Sequence, residues 1–76
     1  MTNEDYNRYT GTAYCSKYHR SIDAIKCALN RHNCAKTKII ILPEDMTFAV
    51  MQNSLAAKFL AAGYEELTYG FEALNY

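Results

Sequence analysis

Two spacings of apolar positions divide this chain: alternation, which predicts strands, and three-four repeats, which predict helices. The stretch TGTAYCSKY alternates and is rich in Thr and Tyr, so a strand is expected from about Thr10 to Tyr18. Thr12, Tyr14, Ser16 and Tyr18 would share one side, Ala13 and Cys15 the other. SIDAIKCALNRHN then has helical spacing, with Ile22, Ile25 and Leu29 on one stripe and Asp23, Asn30, Arg31 and Cys27 turned away from it. Ser21 stands where a cap belongs, Asp23 suits the positive end of the dipole, and Asn33 suits the terminating left-handed position. KTKIIILP is an uninterrupted β-branched run of the kind found in strands covered on both faces, stopped by Pro43.

Residues 43–62 admit two readings. Pro43 followed by Glu44 and Asp45 opens helices, and Phe48, Met51, Leu55, Phe59 and Ala62 form one stripe closed by Gly63. That continuous spacing favours one long helix. In the other reading PED is a turn, MTFAVM a strand and Asn53 the cap of a shorter helix, giving a ferredoxin-like βαββαβ order. YEELTYGFEAL ends the pattern as a strand with Leu67, Tyr69, Phe71 and Ala73 on one side and Glu66, Thr68 and Glu72 on the other.

The favoured assembly is a small α+β domain, a two-layer β-α-β-α-β sandwich. Right-handed crossovers in simple strand order would place both helices on one sheet face. The opposite face, with Thr12, Tyr14, Tyr18, either Ile39 and Ile41 or Ile40 and Leu42, and Thr68 with Glu66 and Glu72, would then lie open, a surface that monomers seldom leave unused.

Composition changes this picture little. With 76 residues the chain makes one domain, and a core so small leaves a few kcal/mol of stability, on the order of what such domains keep, and little room for a deep catalytic pocket. The amino-terminal MTNEDYNRY is polar and acidic where a secretory signal is basic and then apolar, and IIIL is too short to cross a bilayer. Three cysteines, an odd number, fit free thiols in a reducing compartment, so a cytoplasmic protein without membrane contact is expected. Net charge is zero, yet seven bases face Asp23 alone between Arg8 and Lys38, while five acids face Lys58 alone from Glu44 onward. Within one small fold, most of that asymmetry is expected to neutralise locally.

The candidate chemistry is sparse. Cys15, His19, Cys27, His32 and Cys34 crowd one stretch, but Cys27 and His32, five apart on a helix, diverge by roughly 140° around its axis. Cys15, His32 and Cys34 are three ligands without the fourth a closed zinc site needs. No Cys-x-x-Cys pair exists, Cys15 and His19 lie too far apart along a strand to act together, and Gly11, Gly63 and Gly70 form no phosphate cradle. No catalytic residue, metal or cofactor is therefore expected.

Seven tyrosines without tryptophan suit either strand filling or a protein contact. YCSKYHR mixes aromatics with bases, as a single-stranded nucleic-acid platform does, but MTFAVM lacks the basic-glycine pair and further aromatics of the RNA-recognition strand, and the charge balance is neutral. The sequence thus points to a non-enzymatic regulatory module that binds another protein, as inhibitor, adaptor or small subunit, or binds a second copy of itself. Its length also suits the small regulators that phages and other mobile elements carry. Tyr14, Lys17, Tyr18, Arg20, Lys36 and Lys38 are the expected contact residues, and the alternative partner is single-stranded nucleic acid.

Overall fold

A computed structural model describes residues 1–31 and 36–69. In chain order the elements are α1 (Asn3–Tyr9), β1 (Cys15–Tyr18), α2 (Ser21–Arg31), β2 (Thr37–Leu42), β3 (Thr47–Gln52), α3 (Asn53–Ala61) and β4 (Glu65–Glu66). The α+β class expected from the sequence is what forms, with three helices and one four-stranded antiparallel sheet ordered β1-β3-β2-β4 among the described residues.

The long helix over 43–62 does not form. Pro43 to Met46 make a tight turn instead, in which the Asp45 amide donates to the Leu42 carbonyl at 3.2 Å and the Met46 amide to that of Pro43 at 3.3 Å. Met46 takes the left-handed conformation at φ 55° and is 80% exposed at the tip. The chain returns as β3, fully registered on β2 from Leu42↔Thr47 to Thr37↔Gln52, and passes into α3 with no intervening loop. A strand covered on both faces shows apolar residues at consecutive positions, and FAVM running straight into a helix imitates three-four spacing. The element order is therefore the βαββαβ alternative with one added helix at the front. Its last strand pairs with β2, at the edge away from β1.

That strand order decides which faces are covered. β1 and β2 are parallel with β3 between them, and β3 and β4 are parallel with β2 between them. Both crossovers step the same way across the sheet, but from strands of opposite direction, so right-handed connections put α2 and α3 on opposite faces. Packing agrees. Ala24, Ile25, Cys27 and Ala28 of α2 bury against Ile39 and Val50, while Ala56 and Phe59 of α3 bury against Cys15, Ile40, Leu42, Ala49 and Met51. Tyr6 and Tyr9 of α1 join the second cluster.

The expected open sheet face is thus absent, and the expected two layers are three: helix, sheet, helices. Cys27, expected on the outer side of its helix, is buried at its inner side. The small residues Ala24 and Ala28, both fully buried, let α2 lie close to the sheet, and Leu29 borders the contact.

Two further departures lie at the ends. β1 starts at Cys15, because Asn3–Tyr9 is helical and Gly11 to Tyr14 form a turn closed by the Tyr14 amide on the Gly11 carbonyl at 3.0 Å. The helix α1 begins at Thr2, whose hydroxyl accepts from the Asp5 amide at 3.1 Å, so that TNED works as a capping sequence. At the other end β4 is short, continued by the Leu67 amide donating to the Ile39 carbonyl at 2.8 Å, and Leu67 and Tyr69 pack on the α2 side as their alternation predicts. The expected strand residues Phe71, Glu72 and Ala73, like His32, Asn33 and Cys34, lie outside the described residues.

Candidate functional site

β1 is an edge strand whose only partner among the described residues is β3. Because the Ile39 carbonyl accepts from Leu67 of the β4 side, the alternation of antiparallel pairs turns Val50 toward Ser16 and leaves the backbone of Lys17 facing outward. The Cys15 amide is taken by the Gly11 carbonyl at 3.2 Å. An added strand would therefore meet the Lys17 amide, the Lys17 carbonyl and the Cys15 carbonyl.

Beside this edge the Gly11–Tyr14 turn, the last residues of β3 and the first of β2 and α3 enclose a groove of about 610 Å³, lined among others by Thr12, Tyr14, Ser16, Lys36, Thr37 and Ser54. A hollow of about 320 Å³ adjoins it, between Tyr9, Tyr14, Leu55 and Lys58. Tyr14 belongs to both walls, 52% exposed, its ring edge-on to Tyr9 at 6.1 Å. Among the described lining residues, Lys36 and Lys58 carry the only charges.

Of the expected contact residues, Tyr14 and Lys36 meet at this groove. The others are dispersed and engaged. Lys17 Nζ lies 3.2 Å from Asp45 Oδ2 on the α3 face, and Lys38 Nζ lies 3.7 Å from Glu66 Oε2. Arg20 Nε sits 3.5 Å from Asp23 Oδ2, and Tyr18 is half-buried against the α2-side core. Thr37, Gln52 and Ser54 escaped the sequence reading, although the strand-to-helix alternative with its Asn53 start placed a helix end there.

Burial pushes the Cys15 thiol upward, keeping it protonated. Arg8 Nη2 bonds the Tyr9 hydroxyl at 2.9 Å, and this, with Lys58, lowers the phenol below its ordinary range. Two cations lie over that ring, Arg8 at 4.7 Å and Lys58 at 5.2 Å from its centre.

On the α3 face, the Tyr6 hydroxyl donates to Asp45 Oδ2 at 3.0 Å and the Tyr64 hydroxyl donates to Glu44 Oε2. Burial first, and then these carboxylates, raise both phenols, Tyr64 to about 12. Cys15 and Cys27 are free thiols in opposite cores, and among the described residues no three metal-ligating groups gather. No described helix is long and apolar enough to cross a membrane. No protein-family model, curated protein or solved structure matches the chain.

Proposed function

We propose that this chain is a non-enzymatic protein-binding module of the cytoplasm, a regulator that receives an extended segment of another protein along β1 and the groove beside it. The observation that carries this reading is the outward-facing backbone of Lys17 on an edge strand that opens directly onto a groove with half-exposed Tyr14 at its wall. Edge strands recruit extended peptides through main-chain hydrogen bonds, with side-chain pockets setting specificity. Three backbone groups make a short ladder, so the groove supplies most of the recognition.

A nucleic-acid partner has weaker support. Lys17, Arg20 and Lys38 are ion-paired, two cations lie over the Tyr9 ring, and among the described residues Tyr14 is the exposed aromatic at the groove.

A pair of variants tests the reading. Lys17→Pro and Lys17→Ala both remove the ion pair to Asp45, but only proline also removes the outward amide, at a position where an edge strand tolerates it. Binding of the natural partner, or of an extended probe peptide followed by amide shifts, should survive in the alanine variant and weaken measurably in the proline variant. Equal binding by the two would refute strand addition.

A further inference from the structure

We infer that α1 and the turn behind it form a strap that opens from the folded domain as one unit, and that its closure builds the groove beside β1. The inference is independent of strand addition, and its test needs no partner.

Residues 2–14 close many of their hydrogen bonds within the segment. The Tyr6 amide donates to the Thr2 carbonyl at 2.9 Å, the Thr10 amide and hydroxyl both donate to the Tyr6 carbonyl, and the Tyr14 amide donates to that of Gly11. No residue of α1 is buried. Tyr6 and Tyr9 tie the segment to α3 and to the β2–β3 turn. The Tyr6 hydroxyl reaches Asp45 Oδ2, its ring lies 6.3 Å from that of Phe59, and Lys58 of α3 stands over the Tyr9 ring. A helix of seven residues does not persist in water without such contacts, so departure of Tyr6 and melting of α1 are one event.

The segment is also a cover. β1 is the outermost strand, and α3 packs chiefly over β2 and β3. Cys15 on β1 is nevertheless only 7% exposed, in a cluster against which Tyr6 and Tyr9 pack. On this edge α1 therefore supplies the shelter that α3 does not. Cys27 lies in the opposite core, under α2.

The groove depends on the same residues. Thr12, Ala13 and Tyr14 form one of its walls, and Tyr9, Ala13 and Tyr14 line the adjoining hollow. With the strap open these walls are gone, so whatever sits in the groove selects the closed state and opposes opening.

The test is alkylation of the full chain by iodoacetamide at one fixed pH, read beside amide exchange. Tryptic peptides 9–17 and 27–31 report Cys15 and Cys27 separately. Cys15 should react on the order of a hundredfold faster than Cys27, and the amides of Tyr6, Thr10 and Tyr14 should share one opening that those of β2 do not. Tyr6→Phe keeps the ring and should speed Cys15 about fivefold, the worth of one hydrogen bond. Ile39→Val trims the α2-side core and should speed Cys27 about fivefold while Cys15 keeps its rate.

Equal rates for the two thiols, or parallel acceleration of both in Ile39→Val, would overturn the strap, because global unfolding would then be the route to Cys15. Labelling of Cys15 as fast as in the urea-unfolded chain would overturn it by showing that α1 is not held. A fast Cys15 with Tyr6 and Thr10 amides as protected as those of β2 would place the opening at the β1 edge and overturn it likewise. A Tyr14 amide that stays protected while the other two exchange would separate the groove wall from the strap and overturn the claim that closure builds the groove.

Discussion

On the α2 face of the sheet, Ala24, Ile25, Cys27 and Ala28 meet Ile39 and Val50 in an apolar contact with Tyr18, Phe48 and Tyr69 along its margin. On the α3 face the rings of Tyr6, Phe59 and Tyr64 lie against one another at 5.3 to 6.3 Å, and Asp45, Glu44 and Lys17 hold the outer two by their hydroxyls and charge. One face closes through proximity of small side chains. The other closes through an aromatic cluster anchored to an acidic turn, and it is there that α1 is attached. The contrast teaches that the two cores should fail differently: the first to added volume, the second to lost volume, lost hydrogen bonds and pH.

The largest effect is expected from Phe59→Ala. Removing the fully buried ring at the centre of the α3 face should cost about 3–5 kcal/mol, enough to leave so small a domain largely unfolded in a urea titration. Next comes Ala28→Leu on the opposite face, where overpacking under α2 should cost about 1–3 kcal/mol by the same measurement, while circular dichroism retains the helices. Tyr6→Phe keeps the ring and removes the bond to Asp45, so a loss of about 1 kcal/mol is expected, with the amides of α1 exchanging faster and those of α2 unchanged.

The smallest effect is a pH dependence confined to the α3 face. Lys17, and after it Tyr6, hold the Asp45 carboxyl below its ordinary range, so its contribution is present above about pH 4 and fades as acid protonates it. Tyr64, held up to about 12, works in the other direction: its contribution is complete below pH 10, the ordinary tyrosine value, and is lost as pH rises between roughly 10 and 12. Proton-detected titration of Tyr6 and Phe59 ring shifts should follow both limbs; matching shifts at Ile39 or Ala24 would show that the faces are not independent.

Much of this arrangement was legible in the residues. The α2 helix, the isoleucine strand ended by Pro43 and the helix end at Gly63, which adopts φ 100°, each carried a local signal that the structure obeys. The β3 strand was hidden because burial on both faces removed its alternation, and α1 because a seven-residue helix has little periodicity, although Thr2 and Asp5 were there to mark it. Strand order was illegible for a different reason: nothing between Ala61 and Glu65 indicates whether the chain will reach β1 or β2, and that choice alone moves α3 across the sheet. The groove followed the same fate. Tyr14 and Lys36 were readable as exposed residues, whereas the place of Thr37 and Gln52 in the groove wall depends on a pairing that only the completed sheet creates.

The insertion of β3 between β1 and β2 sets a schedule for biosynthesis. As the nascent chain leaves the ribosome, residues 1–42 contain two strands that have no ladder to join, since among the described residues each waits for the segment Thr47–Gln52. Until that segment emerges, α2 has no completed surface to dock upon, and after it emerges both sides of the sheet become available at once. Maturation should accordingly arrive late and abruptly, and carboxy-terminal truncations ending before Gln52 should yield no folded core at all.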